Sequence, residues 1–295
     1  KAVIADRLAF YVDDLYLHYN EISGWTTLIG GLFFFIQVYC DFSGYSDIAL
    51  GAAKVIGIDV MENFKRPFFA KNLADFWTRW HISLSTWLTD YVFFYLGAYK
   101  ASSYRVVFNV IFVLAICGLW HGANWPMVLS FTMVGVFMAI RYVWQNVVVR
   151  AIKPSNSYRL FDNYFPDFMH SIITIFLFLF CFLLFRVHTA QVAINHLHPT
   201  EQVEWITIAK TLYSNLFRLN TANYFQEWML NKGAIQFGVV LFFMFILFFT
   251  EAIIGDAKIE SVVLAKNKMT RWIIYSLLLM SIVWFGIFNN TSFVY

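Results

Sequence analysis

The chain reads as an all-α, polytopic integral membrane protein, and three observations point there. It is 60% hydrophobic and 13% charged, with a mean hydropathy of +0.62, whereas a soluble domain is about half apolar and a quarter charged. Apolar runs at 24–40, 106–120, 125–144, 168–187, 234–254 and 272–288 approach the ~20 residues that a spanning helix needs. The 34 Phe, 16 Tyr and 11 Trp suit lipid contact and the two interfaces. So little polar surface cannot cover a water-exposed globule. A net charge of +3 with no long basic run gives no ground for a nucleic-acid partner.

Taken in order, the N-terminal stretch carries Asp13, Asp14 and Glu21 before the first span. The run after that span, 45–58, is short and predicts a half-span or re-entrant piece, as does 86–99. Six firm spans and up to eight embedded helices follow. No internal repeat or low-complexity linker breaks the chain, so a single membrane domain over 1–295 is expected. Cys40, Cys117 and Cys181 lie in apolar segments, with neither metal-ligand nor disulfide spacing, and read as small buried hydrophobes. The chain begins at Lys1 rather than Met, which points to a start further upstream.

Basic residues gather in three connections. These are 59–81 (Lys65, Arg66, Lys71, Arg79), 141–159 (Arg141, Arg150, Lys153, Arg159) and 256–271 (Lys258, Lys266, Lys268, Arg271). Positive residues favour the cytoplasmic side. A hairpin of 106–120 with 125–144 puts all three there. It puts 188–233 and the acidic N-terminal stretch outside.

Three segments carry polar chemistry. Leu119-Trp120-His121-Gly122-Ala123-Asn124-Trp125 is a polar elbow between two greasy runs. Histidine exchanges a proton near neutral pH, and an ionisable side chain at membrane depth is costly enough to imply function. The alternative is a histidine that caps a turn at the interface. Gln37 to Asp47 holds Asp41 and Asp47 in an apolar neighbourhood. They either orient a polar pocket or cap a broken helix and pair with Lys54 or an arginine. In Asp75 to Trp87, the residues Phe76, Trp80, Leu84 and Trp87 recur at helical spacing, with Arg79, His81 and Ser83 off that stripe. This is either an interfacial anchor or, with Lys65, Arg66 and Lys71, a basic mouth for an anionic cofactor. His196 and His198 form a His-x-His pair with no third ligand in view, so no metal is expected. His18, His170 and His188 carry less.

These residues resemble a known family. Ile4-Ala5-Asp6-Arg7-Leu8-Ala9, Asp41-Phe42-Ser43-Gly44-Tyr45-Ser46-Asp47, Glu62-Asn63-Phe64, Phe76 to Trp87 and Gly118 to Trp125 occur in the order found in the membrane-bound O-acyltransferases (MBOAT). The resemblance is to the bacterial branch of alginate and peptidoglycan O-acetyltransferase membrane subunits. It is strong over 1–145, while over 150–295 mainly the hydropathy agrees. The chain enters the family pattern part-way, so a preceding group of helices is expected. Ser292-Phe293-Val294-Tyr295 looks like the start of an aromatic C-terminal signature.

The resemblance implies an MBOAT-like helical body around a polar tunnel, with short interfacial or re-entrant helices, in the bacterial cytoplasmic (inner) membrane. It implies His121 as catalytic histidine and His81 as its companion. Arg79, Lys65, Arg66 and Lys71 would hold the donor, with Asp41, Asn63, Trp120 and Asn124 in support. It implies acetyl-CoA as donor substrate, no tightly bound cofactor, and an extracytoplasmic polysaccharide acceptor reached through a partner acyltransferase. A related branch moves D-alanine to teichoic acid; His81 to Trp87 followed by Leu96-Gly97 sits closer to the acetyl branch. A transporter using Asp41, Asp47 and His121 as an ion path is the reading from another class, and the chain lacks its paired interrupted spans. A scaffold subunit without chemistry is the third reading, against which the intact His81 and His121 stand.

Overall fold

The computed structural model describes residues 1–100, 102–148, 167–200, 202–218 and 233–287. Among them the structure is helical, and pairing of extended backbone is limited to one isolated bridge between Phe64 and Trp80. The twelve helices used below are α1 (Ala5–Leu17), α2 (Gly24–Val55), α3 (Leu73–Arg79), α4 (Ile82–Leu88), α5 (Ser103–His121), α6 (Trp125–Val143), α7 (Asp167–Phe182), α8 (Val187–Leu197), α9 (Trp205–Leu216), α10 (Ala234–Ile254), α11 (Ile259–Leu264) and α12 (Lys268–Phe285). Among the described residues six segments are long and apolar enough to cross a membrane: Gly24–Val55, Ser103–His121, Trp125–Asn146, Phe168–Leu197, Ala234–Ile254 and Lys268–Phe285. All six match the apolar runs read from the sequence.

The chain divides into two compact units, 1–60 with 210–294 and 61–209 with 295. In the first, α1 packs on α2. Leu15 fills the space that Gly30 leaves open, since a Cβ on Gly30 would come within 2.7 Å of its side chain. Ser23 caps α2 by accepting from the Thr26 amide. Arg7, buried, donates to the Phe285 carbonyl at 2.7 and 3.1 Å and so satisfies a backbone acceptor left open at the end of α12. Tyr39 donates to the carboxylate of Glu251 at 2.5 Å. Both are buried in apolar helices, where an isolated charge is costly and a partner is required.

Two sequence expectations are corrected in this unit. The run 45–58 is no separate half-span or re-entrant piece, because α2 runs 32 residues without a break as far as Val55. Asp41 therefore caps nothing. It sits mid-helix, buried, and its carboxylate pairs with the Lys1 ammonium, while Lys54 pairs with Glu260 instead. Glycine at 44 and 51 costs helix propensity of about 1 kcal/mol each, and the strong apolar context of a long helix overrides it.

In the second unit α5 and α6 form an antiparallel hairpin closed by only Gly122, Ala123 and Asn124. Gly118 allows the close approach, since a Cβ there would meet the Met127 carbonyl oxygen at 2.6 Å and the Val128 Cα at 2.8 Å. α6 is held to α7 by Ser130, whose hydroxyl donates to the Cys181 carbonyl at 2.9 Å. An aromatic core runs through the unit. Phe76 lies 4.2 Å from Phe178, Phe178 lies 4.8 Å from Phe182, and Phe182 stacks on Phe185 at 4.8 Å. Such pairs add about 0.5–1.5 kcal/mol each beyond burial. The predicted half-span at 86–99 is irregular, passing from α4 into a π-helical turn (Thr89–Phe93) and a 3-10 turn (Ala98–Lys100). Arg150, Lys153, Arg159 and the C-terminal signature at 292–295 lie outside the described residues.

Candidate active site

Asn63, Phe64 and Lys65 run antiparallel to Arg79 to Ile82. The Lys65 amide donates to the Arg79 carbonyl at 2.9 Å and the Ile82 amide to the Asn63 carbonyl at 3.0 Å. This pairing interrupts the helix expected through Phe76 to Trp87. Trp80 is extended and His81 adopts φ 46°, ψ 54°, a left-handed geometry uncommon for a residue other than glycine. The four aromatic and apolar residues therefore do not share one helix face. Trp80 packs inward on Phe64 at 5.1 Å and Phe76 at 5.3 Å, while Trp87 is exposed on α4. With Trp80 anchored inward, the chain reversal at His81 turns the next residue another way.

His121 is the last residue of α5. Its ring stacks on Phe131 of α6 at 4.9 Å and meets Phe185 edge-on at 5.5 Å. His81 and His121 come together with ring centroids 6.3 Å apart, and Trp120 lies 5.8 Å from the former and 4.8 Å from the latter. Both imidazoles are half-buried. Burial pushes the His81 imidazole down to about 4, against the pull of a hydrogen bond to its own backbone. The ring is therefore neutral at physiological pH.

Asn63 reaches this pair through Ser83. The Ser83 amide and hydroxyl both donate to Asn63 Oδ1, at 3.2 and 2.6 Å, and the hydroxyl oxygen lies 3.5 Å from His81 Nδ1. Asn124 acts on the backbone, where its Oδ1 accepts from the Met127 amide at 3.1 Å and caps α6. The amide of Gly122, beside His121, donates to the Gly118 carbonyl at 3.1 Å.

Lys65, Arg66, Lys71 and Arg79 share one stretch of chain. Arg79 donates to Asp75 at 2.8 Å and to the Lys65 carbonyl at 3.4 Å. The Lys71 amide donates to the other Asp75 oxygen at 2.9 Å. Arg66, in a left-handed conformation, lies 4.5 Å over the Phe69 ring. Asp41 belongs to the first unit. Among the described residues no group of three or more His, Cys, Asp or Glu is placed to hold a metal. Phe131 and Phe185, which wall the His121 ring, were not singled out by sequence. Their only signal was an aromatic excess spread over the whole chain.

The chain is similar in sequence to known proteins. The probable alginate O-acetylase AlgI of Pseudomonas aeruginosa is 35% identical over 194 residues, 65% of this chain and 34% of that protein. The peptidoglycan O-acetyltransferase of Helicobacter pylori is 36% identical over 149 residues, 50% of this chain and 28% of that protein. The teichoic acid D-alanyltransferase of Bacillus subtilis is 39% identical over 111 residues, 35% of this chain and 28% of that protein. The chain thus spans about a third of the length of such relatives. The profile of the MBOAT, membrane-bound O-acyltransferase family matches residues 10–185, from within α1 to just past α7 and including both histidines, and the chain belongs to that family.

Proposed function

We propose that this chain carries the acyl-transfer site of a bacterial membrane O-acetyltransferase, which takes an acetyl group from cytoplasmic acetyl-CoA and passes it toward hydroxyls of an extracytoplasmic polysaccharide. The supporting observation is the pair His81 and His121, 6.3 Å apart between ring centroids, within the segment matched to the family. The names of the alginate and peptidoglycan relatives supply the acceptor class. A separate partner acyltransferase completes delivery, and the cytoplasmic membrane is the setting.

An alcohol is a weak nucleophile at neutral pH. His121 accepts its proton as the oxygen attacks the thioester carbon. A C–O bond forms, the C–S bond breaks, and the leaving thiolate takes the proton back as free thiol. His81 orients the reacting groups or donates to the oxyanion. Lys65, Arg66, Lys71 and Arg79 hold the CoA phosphates, arginine being suited to bidentate contact.

The test is incubation of the purified full-length protein with acetyl-labelled CoA, with and without polysaccharide and partner, while following the label. Label moving to the acceptor in the wild type and not in His121→Ala supports the reading. Undiminished transfer by His121→Ala removes the proposed base. The Bacillus relative sustains a second reading, D-alanyl transfer, in which a D-alanyl thioester and not acetyl-CoA is consumed in the same assay.

A further inference from the structure

The hydrogen-bond chain from Asn63 to His81 has a direction. The Ser83 amide is a donor and nothing else, so the Asn63 atom it meets at 3.2 Å is the carbonyl oxygen. The Ser83 hydroxyl meets that same oxygen at 2.6 Å and must donate to it, since a carbonyl oxygen only accepts. The hydroxyl has one proton and it is spent. Toward His81 Nδ1, 3.5 Å away, the Ser83 oxygen can only accept, so Nδ1 carries the hydrogen. A neutral imidazole has one N–H, and Nε2 is left with a lone pair.

We propose that Ser83, held by Asn63, is a positioning residue that sets His81 in the Nδ1–H form and so makes its other nitrogen a hydrogen-bond acceptor. The inference rests on the acyl-transfer reading and sharpens it. Of the two roles open to His81, donor to an oxyanion and orienter of the attacking hydroxyl, only the second suits a bare Nε2. His81 then holds the hydroxyl by accepting its hydrogen bond beside His121, without itself making or breaking a bond to carbon. The left-handed backbone at His81 belongs to the same device. It places residue 81 and residue 83 on one local turn, with Asn63 gripping the Ile82 amide through its carbonyl and Ser83 through its side chain.

Two readouts test this, one of them independent of turnover. Nitrogen-15 NMR of histidine-labelled full-length protein, assigned with His81→Asn, is expected to show Nδ1–H and bare Nε2 for His81. In Ser83→Ala that preference is lost. With labelled acetyl-CoA, Ser83→Ala is expected to lower kcat by about 10- to 100-fold, the range seen when an outer partner of a metal-bound histidine is removed, with KM for the donor unchanged. Ser83→Thr restores it. In a His81→Asn background, Ser83→Ala has no further effect. A wild-type His81 carrying its hydrogen on Nε2, or full turnover in Ser83→Ala, overturns the inference. Full turnover in His121→Ala overturns the acyl-transfer reading instead and leaves the tautomer measurement standing.

Discussion

His81 pairs a strained backbone with a neutral ring. A residue held in a sparsely populated backbone region costs on the order of 1–3 kcal/mol, and asparagine enters the left-handed region more readily than alanine. His81→Asn is therefore expected to retain the fold while losing transfer activity, whereas His81→Ala loses activity and melts earlier; thermal unfolding in detergent beside acetyl transfer separates the two. The ring also makes stability depend on pH. Its folded value, about 4, lies below the ordinary value of 6.5, so between these the unfolded chain binds the extra proton. The stabilisation is complete above pH 6.5 and is lost as pH falls toward 4. Melting scans from pH 7.5 to 4.5 should show a steeper decline for the wild type than for His81→Asn. An equal decline would mean that His81 is not a half-buried ring held neutral in the folded protein. His121→Ala is expected to cost about 10²–10⁴-fold in transfer, the range of general-base help, with little change in melting, because Phe131 and Phe185 still pack on one another at 6.0 Å.

The α5–α6 hairpin shows how much of a conspicuous motif is structural. Between Gly118 and Trp125, Gly118 gives way to the backbone of α6, Asn124 caps α6, and Gly122 passes under Met127, whose sulfur a Cβ would meet at 2.4 Å. Gly118→Val puts two methyl groups against backbone that cannot move aside, and overpacking of this sort costs about 1–3 kcal/mol or more. Asn124→Ala removes a cap at about 1 kcal/mol, while Asn124→Asp keeps the acceptor. Unfolding of the purified variants should rank wild type and Asn124→Asp above Asn124→Ala, and Gly118→Val lowest. Full stability in Gly118→Val would contradict the close approach of the two helices. The elbow thus sets His121 at a helix end by short-range forces. Its ring is oriented by Phe131 of α6, in the same hairpin, and by Phe185 from the turn after α7, far along the chain.

For the whole molecule the informative property is orientation. Charge reads the connections 141–159 and 256–271 as cytoplasmic, whereas 59–81, expected with them, meets the elbow of the α5–α6 hairpin through His81 and His121, at the opposite end from Arg141. Cys40, Cys117 and Cys181 are all buried, so added surface cysteines report cleanly. A thiol reagent that cannot cross the membrane is expected to reach Gln202→Cys in intact cells. It should reach Lys266→Cys only after the inner membrane is opened; labelling of Lys266→Cys in intact cells would reverse the charge argument. At this scale too lies the buried pair of Tyr39 and Glu251, 212 residues apart in sequence. Glu251 is the sole charged residue of α10, a span that sequence alone marks only as very apolar.

Composition and apolar run length determined the membrane class and all six spans, because a bilayer imposes a length and a polarity that need no tertiary knowledge. The family resemblance singled out His81, His121 and Asn63 as candidates, and the structure brings the ring centroids of the two histidines within 6.3 Å of one another. What only the tertiary structure decided were the breaks and the partners. Helical periodicity predicted continuity at Trp80, where pairing with Phe64 broke it, and local glycine predicted a break near Asp47, where helix continued. Asp41 found Lys1 rather than Lys54, and Ser83 took its place between Asn63 and His81. Each of these depends on residues tens of positions apart meeting in space, and a local pattern carries no record of which distant group will satisfy a buried polar atom.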